Sequence, residues 1–280
     1  MPAGFGLIAR LALGVSKPRQ PILGSELAGT VESTGKGVKE FKVGDKVFGF
    51  TGARLGCHAE YKCMPEVGGV ALKPPSLSFD EAAALSSGGT TALHFLRRGQ
   101  LRRGERVLVN GASGSVGSAA VQLARHFGAE VTGVCSRANV ELVRTLGADH
   151  VIDYTAEDFT ENGETYDVIV DTAGTAPFPR SDASLKEKGR LLLVLSGLRD
   201  VLQAPWVSMA SGKRVIAGPA AWRPEDLRFL AMLAAAGEFK PVIDRRYPFE
   251  AITEAHRYVD GGRKKGNVVV IIEGHDVGAA

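Results

Sequence analysis

Val107-Leu108-Val109-Asn110-Gly111-Ala112-Ser113-Gly114-Ser115-Val116-Gly117 is the stretch that decides the fold. Arg106 to Asn110 is a short apolar run that reads as a strand, and Ala119 to Ala124 reads as the body of a helix. The turn between them is spaced Gly111-x-x-Gly114-x-x-Gly117, a variant of Gly-x-Gly-x-x-Gly with Ala112 near the usual first glycine. A strand before and a helix after give such a spacing its meaning. Small residues let the backbone approach a pyrophosphate, while the helix N-terminus offers N–H groups and a positive dipole end. Ser113, Ser115 and Val116 share the turn, and Gly117 lets the helix pack tightly on the sheet. The competing reading is a tight strand–helix turn that holds no ligand.

Downstream, strands and helices alternate. Strands are expected at Glu130–Cys135, His150–Asp153, Tyr166–Asp171, Arg190–Leu195 and Lys213–Ala217, with helices at Val140–Leu146 and Ser181–Lys188. That alternation predicts βαβ units on a parallel sheet. Helices at Pro224–Ala236 and Phe249–Val259 and a strand at Asn267–Ile272 follow. Upstream, from Ile22 to Leu72, short glycine-rich strands such as Ala28–Glu32 and Lys46–Phe50 suggest a small antiparallel barrel or sandwich. Pro74-Pro75 breaks the chain, and Ser78 with Glu81 forms the signature of a helix capping box.

Composition narrows the class. The 280 residues carry 34 Lys and Arg against 31 Asp and Glu, a formal charge of +3 without a basic stripe, which argues against nucleic acid as a partner. No apolar run approaches the length of a membrane span, and the start, Met1 to Val15, lacks the basic region of a signal peptide. Three cysteines cannot build a disulfide framework, so a reducing, cytoplasmic setting is expected. A Walker A loop is absent. None of the five tyrosines has lysine four residues later, so the Tyr-x-x-x-Lys device of short-chain dehydrogenases is missing too.

The second strand of the alternating region ends Cys135-Ser136-Arg137, where an NAD site usually places Asp or Glu for the ribose 2′-hydroxyl. Ser136 and Arg137 suit a 2′-phosphate instead, which points to NADP(H). The alternative for Arg137 is a solvated surface charge. Tyr154, at the tip of the third strand, flanks the adenine or is a half-buried strand-end aromatic. Gly174, Ser196 and Gly197 follow the fourth and fifth strands, at the carboxyl edge where doubly wound folds bind ligands.

Residues 21–72 and 76–272 resemble the medium-chain dehydrogenase/reductase superfamily, closest to its zinc-independent quinone reductase and zeta-crystallin branch. The carrying motifs are Pro21–Gly29, Gly44–Gly49, Gly88–Leu93, Asn110–Gly117 and Leu146–Tyr154. The resemblance implies a doubly wound Rossmann sheet inserted into a GroES-like β-barrel domain, with NADP(H) in the cleft between them. The expected boundaries are 1–75 for the GroES-like domain, 76–217 for the Rossmann domain and 218–280 for the return to the first. It also implies that Thr91 positions the nicotinamide and that Asn267 contacts the cofactor. Thr91 is otherwise a threonine capping its own helix turn, and Asn267 a turn residue.

The zinc branch has His before Glu where this chain has Ser25-Glu26, and a hydroxyl is a poor substitute for imidazole on zinc. Cys57, His58 and Cys63 are too few for a metal site, so no metal is expected, and these residues read as a half-buried strand pair. The resemblance thus implies a zinc-independent NADPH-dependent oxidoreductase for quinones, enones or related carbonyls, and strand-edge pairing makes a homodimer the default expectation. The family opens with barrel strands that this sequence lacks ahead of Pro21. A truncated barrel, with unpaired strand edges and weakened turnover, is therefore expected. The alternative function is a catalytically weak NADP(H)-binding protein acting through dimerisation or partner binding.

Overall fold

The computed structural model describes residues 20–221 and 223–272. The expected opening without barrel strands, and the reading of Met1 to Val15, lie largely outside the described residues. In chain order, β1 (Glu26–Thr30), β2 (Lys46–Phe50) and β3 (Val70–Leu72) precede the long helix α1 (Phe79–Arg98). Then come β4 (Arg106–Asn110), α2 (Ser115–His126), β5 (Glu130–Cys135), α3 (Val140–Thr145), β6 (His150–Asp153) and β7 (Tyr166–Asp171). Next are α4 (Phe178–Ser181), β8 (Leu185–Leu193), α5 (Leu198–Ser211) and β9 (Arg214–Ile216). The chain closes with α6 (Pro224–Ala235), β10 (Ile243–Pro248), α7 (Ile252–Asp260) and β11 (Asn267–Ile271).

The chain divides into two units. Among the described residues, one holds 20–87, Arg223–Ala236 and 240–272; the other holds 88–221 and Gly237–Phe239. In the first, β1, β2 and β3 form an antiparallel sheet in that order, and β10 pairs in parallel with β11. α6 buries Leu227, Leu230 and Leu233, a three-residue spacing that forms one apolar face. The expected capping box is present at α1, where the Ser78 N–H donates to Glu81 Oε2 at 3.0 Å and the Glu81 N–H to Ser78 Oγ at 3.4 Å.

The second unit is a six-stranded parallel sheet in the order β6-β5-β4-β7-β8-β9. Its direction of growth reverses between β4 and β7, the switch point of a doubly wound α/β fold. Leu108, Val134, Ile169, Leu191 and Val215 come from five of the strands and belong to one buried cluster. Near-continuous apolar strands are what a parallel sheet covered on both faces demands.

Several expected elements differ. The helix at Ser181–Lys188 is absent: α4 ends at Ser181, and β8 begins at Leu185, opposite Tyr166. Tyr166 and Leu185 are both buried, so their pairing outweighs the weak local helical pattern. The register then jumps from Tyr166↔Leu185 to Val168↔Arg190, with Lys188 in the left-handed region at φ 60°. Helix α5 lies outside the expected elements, and it carries Pro205 in its interior, a residue that usually breaks a helix. The charged β10 also lies outside the expected elements, and parallel pairing with β11 makes it a strand. Cys57, His58 and Cys63 lie in no strand: Gly52, Leu55 and Gly56 all have positive φ and turn that segment away from extended geometry. The expected strand at Ala28–Glu32 is displaced to Glu26–Thr30.

Candidate cofactor-binding site

The glycine turn leaves β4 at its carboxyl end. Gly111 has φ +82°, and a Cβ there would lie 2.7 Å from Thr172 Oγ1, so both backbone and space call for glycine. A Cβ on Gly117 would stand 2.0 Å from the Gly111 carbonyl, which fixes the first turn of α2 against the loop. Gly114, the N-cap of α2, is different: a Cβ there would meet only the Gly111 carbonyl, at 3.4 Å, so space lies open beside it. The Ser118 N–H donates to the Gly114 carbonyl at 2.8 Å, so the N–H groups of the first turn precede the intrahelical ladder. An open concavity at the N-terminus of a twelve-residue helix is a cradle that fits a pyrophosphate.

Polar side chains stitch the neighbouring loops to this turn. Asp171, at the end of β7, is buried; its Oδ1 accepts Asn110 Nδ2 at 2.9 Å and the N–H groups of Ala173 and Gly174, and its Oδ2 the N–H of Ala176. Thr172 Oγ1 donates to the Asn110 carbonyl at 2.8 Å. Asn139 Nδ2 lies 3.2 Å from both Ser113 Oγ and Ser136 Oγ, joining the glycine turn to the end of β5. Sequence reading missed Asp171, Thr172 and Asn139. An acid ending a buried strand was a signal for the first, whereas nothing local marks the other two.

The sequence-predicted residues fall mainly on one edge of this sheet. Gly111, Ser113, Gly114, Ser115, Val116 and Gly117 follow β4; Ser136 and Arg137 follow β5; Tyr154 follows β6; Gly174 follows β7; Ser196 and Gly197 follow β8. The Tyr154 N–H donates to the Cys135 carbonyl at 3.0 Å, which sets the Tyr154 backbone beside the β5 end, and its side chain is exposed rather than half-buried. Gly174 has φ +72°, and Ser196 Oγ accepts the Gly218 N–H at 3.0 Å. Thr91 is half-buried on α1, whose Gly88 packs on the first turn of α2, where a Cβ would lie 2.5 Å from Ser115 Oγ. Asn267 belongs to the other unit, where its Nδ2 donates to the Val242 carbonyl at 3.0 Å and the Ala84 carbonyl at 3.3 Å.

The ionisable groups near the sheet edge are distinct in character. Thr155, through its hydroxyl and N–H on Asp153 Oδ1, holds the Asp153 carboxyl below the usual carboxylate range, and nearby Arg137 adds to this. Burial pushes the Cys135 thiol up to about 11, so it stays protonated at neutral pH. In the other unit, Cys57 Sγ lies 3.5 Å from Thr51 Oγ1, the His58 ring packs edge-on against His256, and Cys63 is exposed. Among the described residues, no three His, Cys, Asp or Glu side chains gather as a metal site would require.

Residues 8–75 match the alcohol dehydrogenase GroES-like domain family, and residues 146–270 the zinc-binding dehydrogenase family. The chain is 35% identical over 264 residues to a 2-methylene-furan-3-one reductase of Solanum lycopersicum, covering 90% of this chain and 64% of that protein. It is 31% identical over 283 residues to a chloroplast envelope quinone oxidoreductase homolog of Arabidopsis thaliana, covering 93% and 84%. A chloroplastic NADPH-dependent alkenal/one oxidoreductase of the same plant is 32% identical, with 90% and 64% covered. The chain thus spans just under two thirds of the length of two of these relatives. Among solved structures, the quinone oxidoreductase from Coxiella burnetii superposes with a TM-score of 0.81 at 26% identity, over 96% of this chain and 84% of that one. With its parallel Rossmann-like sheet and GroES-like unit, the chain belongs to the medium-chain dehydrogenase/reductase superfamily, alongside its quinone oxidoreductase-like members.

Proposed function

We propose that this protein is a zinc-independent, NADPH-dependent oxidoreductase that reduces enones, quinones or related carbonyl compounds. The observation that carries the reading is the cradle at Gly114, open where a pyrophosphate would lie and closed by Gly117 on its other side. Gly111, Ser113, Gly114, Ser115, Val116 and Gly117 hold the pyrophosphate, and Thr91 sits at the nicotinamide end. Ser136 and Arg137 receive the 2′-phosphate, while Tyr154 flanks the adenine. Gly174, Ser196 and Gly197 line the remainder of the carboxyl edge, and Asn267 completes the cofactor contacts. When bound, the dinucleotide supplies a hydride. The chain's own part is to fix its orientation and to provide hydrogen-bond donors to the substrate oxygen.

Zinc independence is supported by the donor set, since Ser25 stands before Glu26 and supplies a hydroxyl in place of a soft imidazole. The enone and quinone classes rest on the names of the relatives. A homodimer and a reducing compartment belong to the same proposal; among the described residues β9 is an edge strand of its sheet, and Cys57, Cys63 and Cys135 are free thiols. Among the described residues, no helix is long and apolar enough to cross a membrane.

Fluorescence titration with NADPH and NADH, followed by NADPH-oxidation assays against quinones and enones, tests the reading. NADPH should bind more tightly, and Arg137→Ala should weaken NADPH by about tenfold while leaving NADH nearly unchanged, the loss of one charge-assisted phosphate contact. Binding without oxidation of any substrate would reduce the protein to a cofactor-binding role.

A further inference from the structure

Arg137 does not stand alone at the 2′ position. Cys135 and Asp153 are register partners on β5 and β6, so the loop carrying Arg137 rises directly beside Asp153. Both residues line a cavity of about 490 Å³ together with Val140, Glu141, Arg144, Val151, Ala156 and Glu157. A volume of that order is in the range of small-molecule clefts. Its ionisable lining is two guanidinium groups against three carboxylates, the wrong balance for a site built only for a doubly charged phosphate. Arg144 lies 4.0 Å from Glu141, and Arg137 lies close enough to Asp153 to favour its ionised form.

Asp153 is oriented and has capacity to spare. Its Oδ1 accepts the Thr155 N–H at 3.0 Å and the Thr155 hydroxyl at 2.7 Å. The Arg137 backbone N–H also contributes to stabilising the carboxylate. A carboxylate offers about four lone-pair sites, so three donors leave room for one more O–H. A ribose 2′-hydroxyl is such a donor, whereas a 2′-phosphate brings only acceptors and negative charge.

We propose that Asp153 is a specificity residue for the cofactor: it accepts the 2′-hydroxyl of NADH and repels the 2′-phosphate of NADPH. The two readers oppose one another, Arg137 favouring NADPH and Asp153 tempering that preference, so the chain uses both cofactors. This rests on the reading that the glycine turn holds a nicotinamide dinucleotide. The plainer role for Asp153 is to shape its turn through Thr155, and asparagine retains that acceptor while removing the charge.

The test is a titration of the intact chain and of its Asp153→Asn variant with NADPH, NADH, 2′,5′-ADP and 5′-AMP. In the variant, NADPH and 2′,5′-ADP should bind about fivefold or more tighter, as removal of a like charge a few ångströms away allows. NADH should weaken by a smaller factor, and 5′-AMP, which has a 2′-hydroxyl, should follow NADH. A variant whose NADPH-to-NADH affinity ratio equals that of the parent, or which loses both equally, overturns the proposal and leaves Asp153 a turn residue. If the parent chain binds none of the four ligands, the dinucleotide reading itself has failed, an outcome distinct from an unchanged ratio.

Discussion

Two carboxylates, one in each unit, meet the cost of enclosure in opposite ways. Asp171 is 1% exposed, and four donors converge on it: the Asn110 amide and the N–H groups of Ala173, Gly174 and Ala176. Glu26, half-buried on β1, accepts the Ser87 N–H at 2.7 Å, with Lys264 contributing charge from nearby. Burial outweighs that support and pushes the Glu26 carboxyl from 4.5 up to about 7. Burial likewise pulls the Lys264 ammonium below its ordinary range, so the pair is poorly compensated from both sides. The difference teaches what each carboxylate is for. Asp171 organises a loop by saturating it with hydrogen bonds, whereas Glu26 is poised to change its charge near neutral pH.

The comparison breaks most readily at Asp171. Asp171→Ala leaves Asn110 and three backbone N–H groups without their acceptor, and a loss of about 3–5 kcal/mol is expected for a buried charged hub of this kind. Urea denaturation measures it. The same variant should lose NADPH binding, because the loop after β7 packs on Gly111 through Thr172 and Ala173. A loss below about 1 kcal/mol would mean that water replaces the carboxylate and that the network is not an organising one.

Glu26 sharpens the contrast through pH. Its folded pKa is raised, so protonation favours the folded state: the contribution is complete below about pH 4.5 and disappears as pH rises through 7. The parent chain should therefore lose stability between about pH 5 and 8 relative to Glu26→Gln, by roughly 1–3 kcal/mol given partial solvent access. Denaturation curves of both proteins at pH 5.5 and 8 give the difference directly. Parallel pH profiles would show that Lys264 compensates the ionised carboxylate fully.

The same contrast separates what was legible in the sequence from what was not. The turn at Gly111–Gly117 and most strands of the parallel sheet could be read because each is a local pattern: a glycine spacing, or an apolar run buried on both faces. The second half of β8 is legible as Arg190–Leu195, but its first half from Leu185 is not, since that part pairs with Tyr166 across a register jump. Helix α5, which carries Pro205 in its interior, and the charged β10 lie outside the expected elements too. At the proposed site, residues offered for contact with a ligand through backbone or charge, such as Gly114 and Arg137, carry their signal in the sequence. Residues that hold other residues, such as Asn139 and Asp171, acquire meaning only from distances across loops.

Asn139 offers the finest test, because its neutral amide performs on a smaller scale the stitching that Asp171 performs with charge. Its Nδ2 reaches Ser113 Oγ and Ser136 Oγ, each at 3.2 Å, and so couples the glycine turn to the residue beside Arg137. These are long, partly solvated hydrogen bonds, so Asn139→Ala should cost only about 1 kcal/mol of stability. Its effect on binding should differ in kind from that of Asp153→Asn. Loosening the joint between the two loops weakens NADPH and NADH alike, by about two- to fivefold, since both share the pyrophosphate and neither loses a charge. Titration with the two cofactors therefore separates positioning from recognition. An equal loss marks Asn139 as a tie between loops, and a loss confined to NADPH would make its amide a direct ligand of the 2′-phosphate.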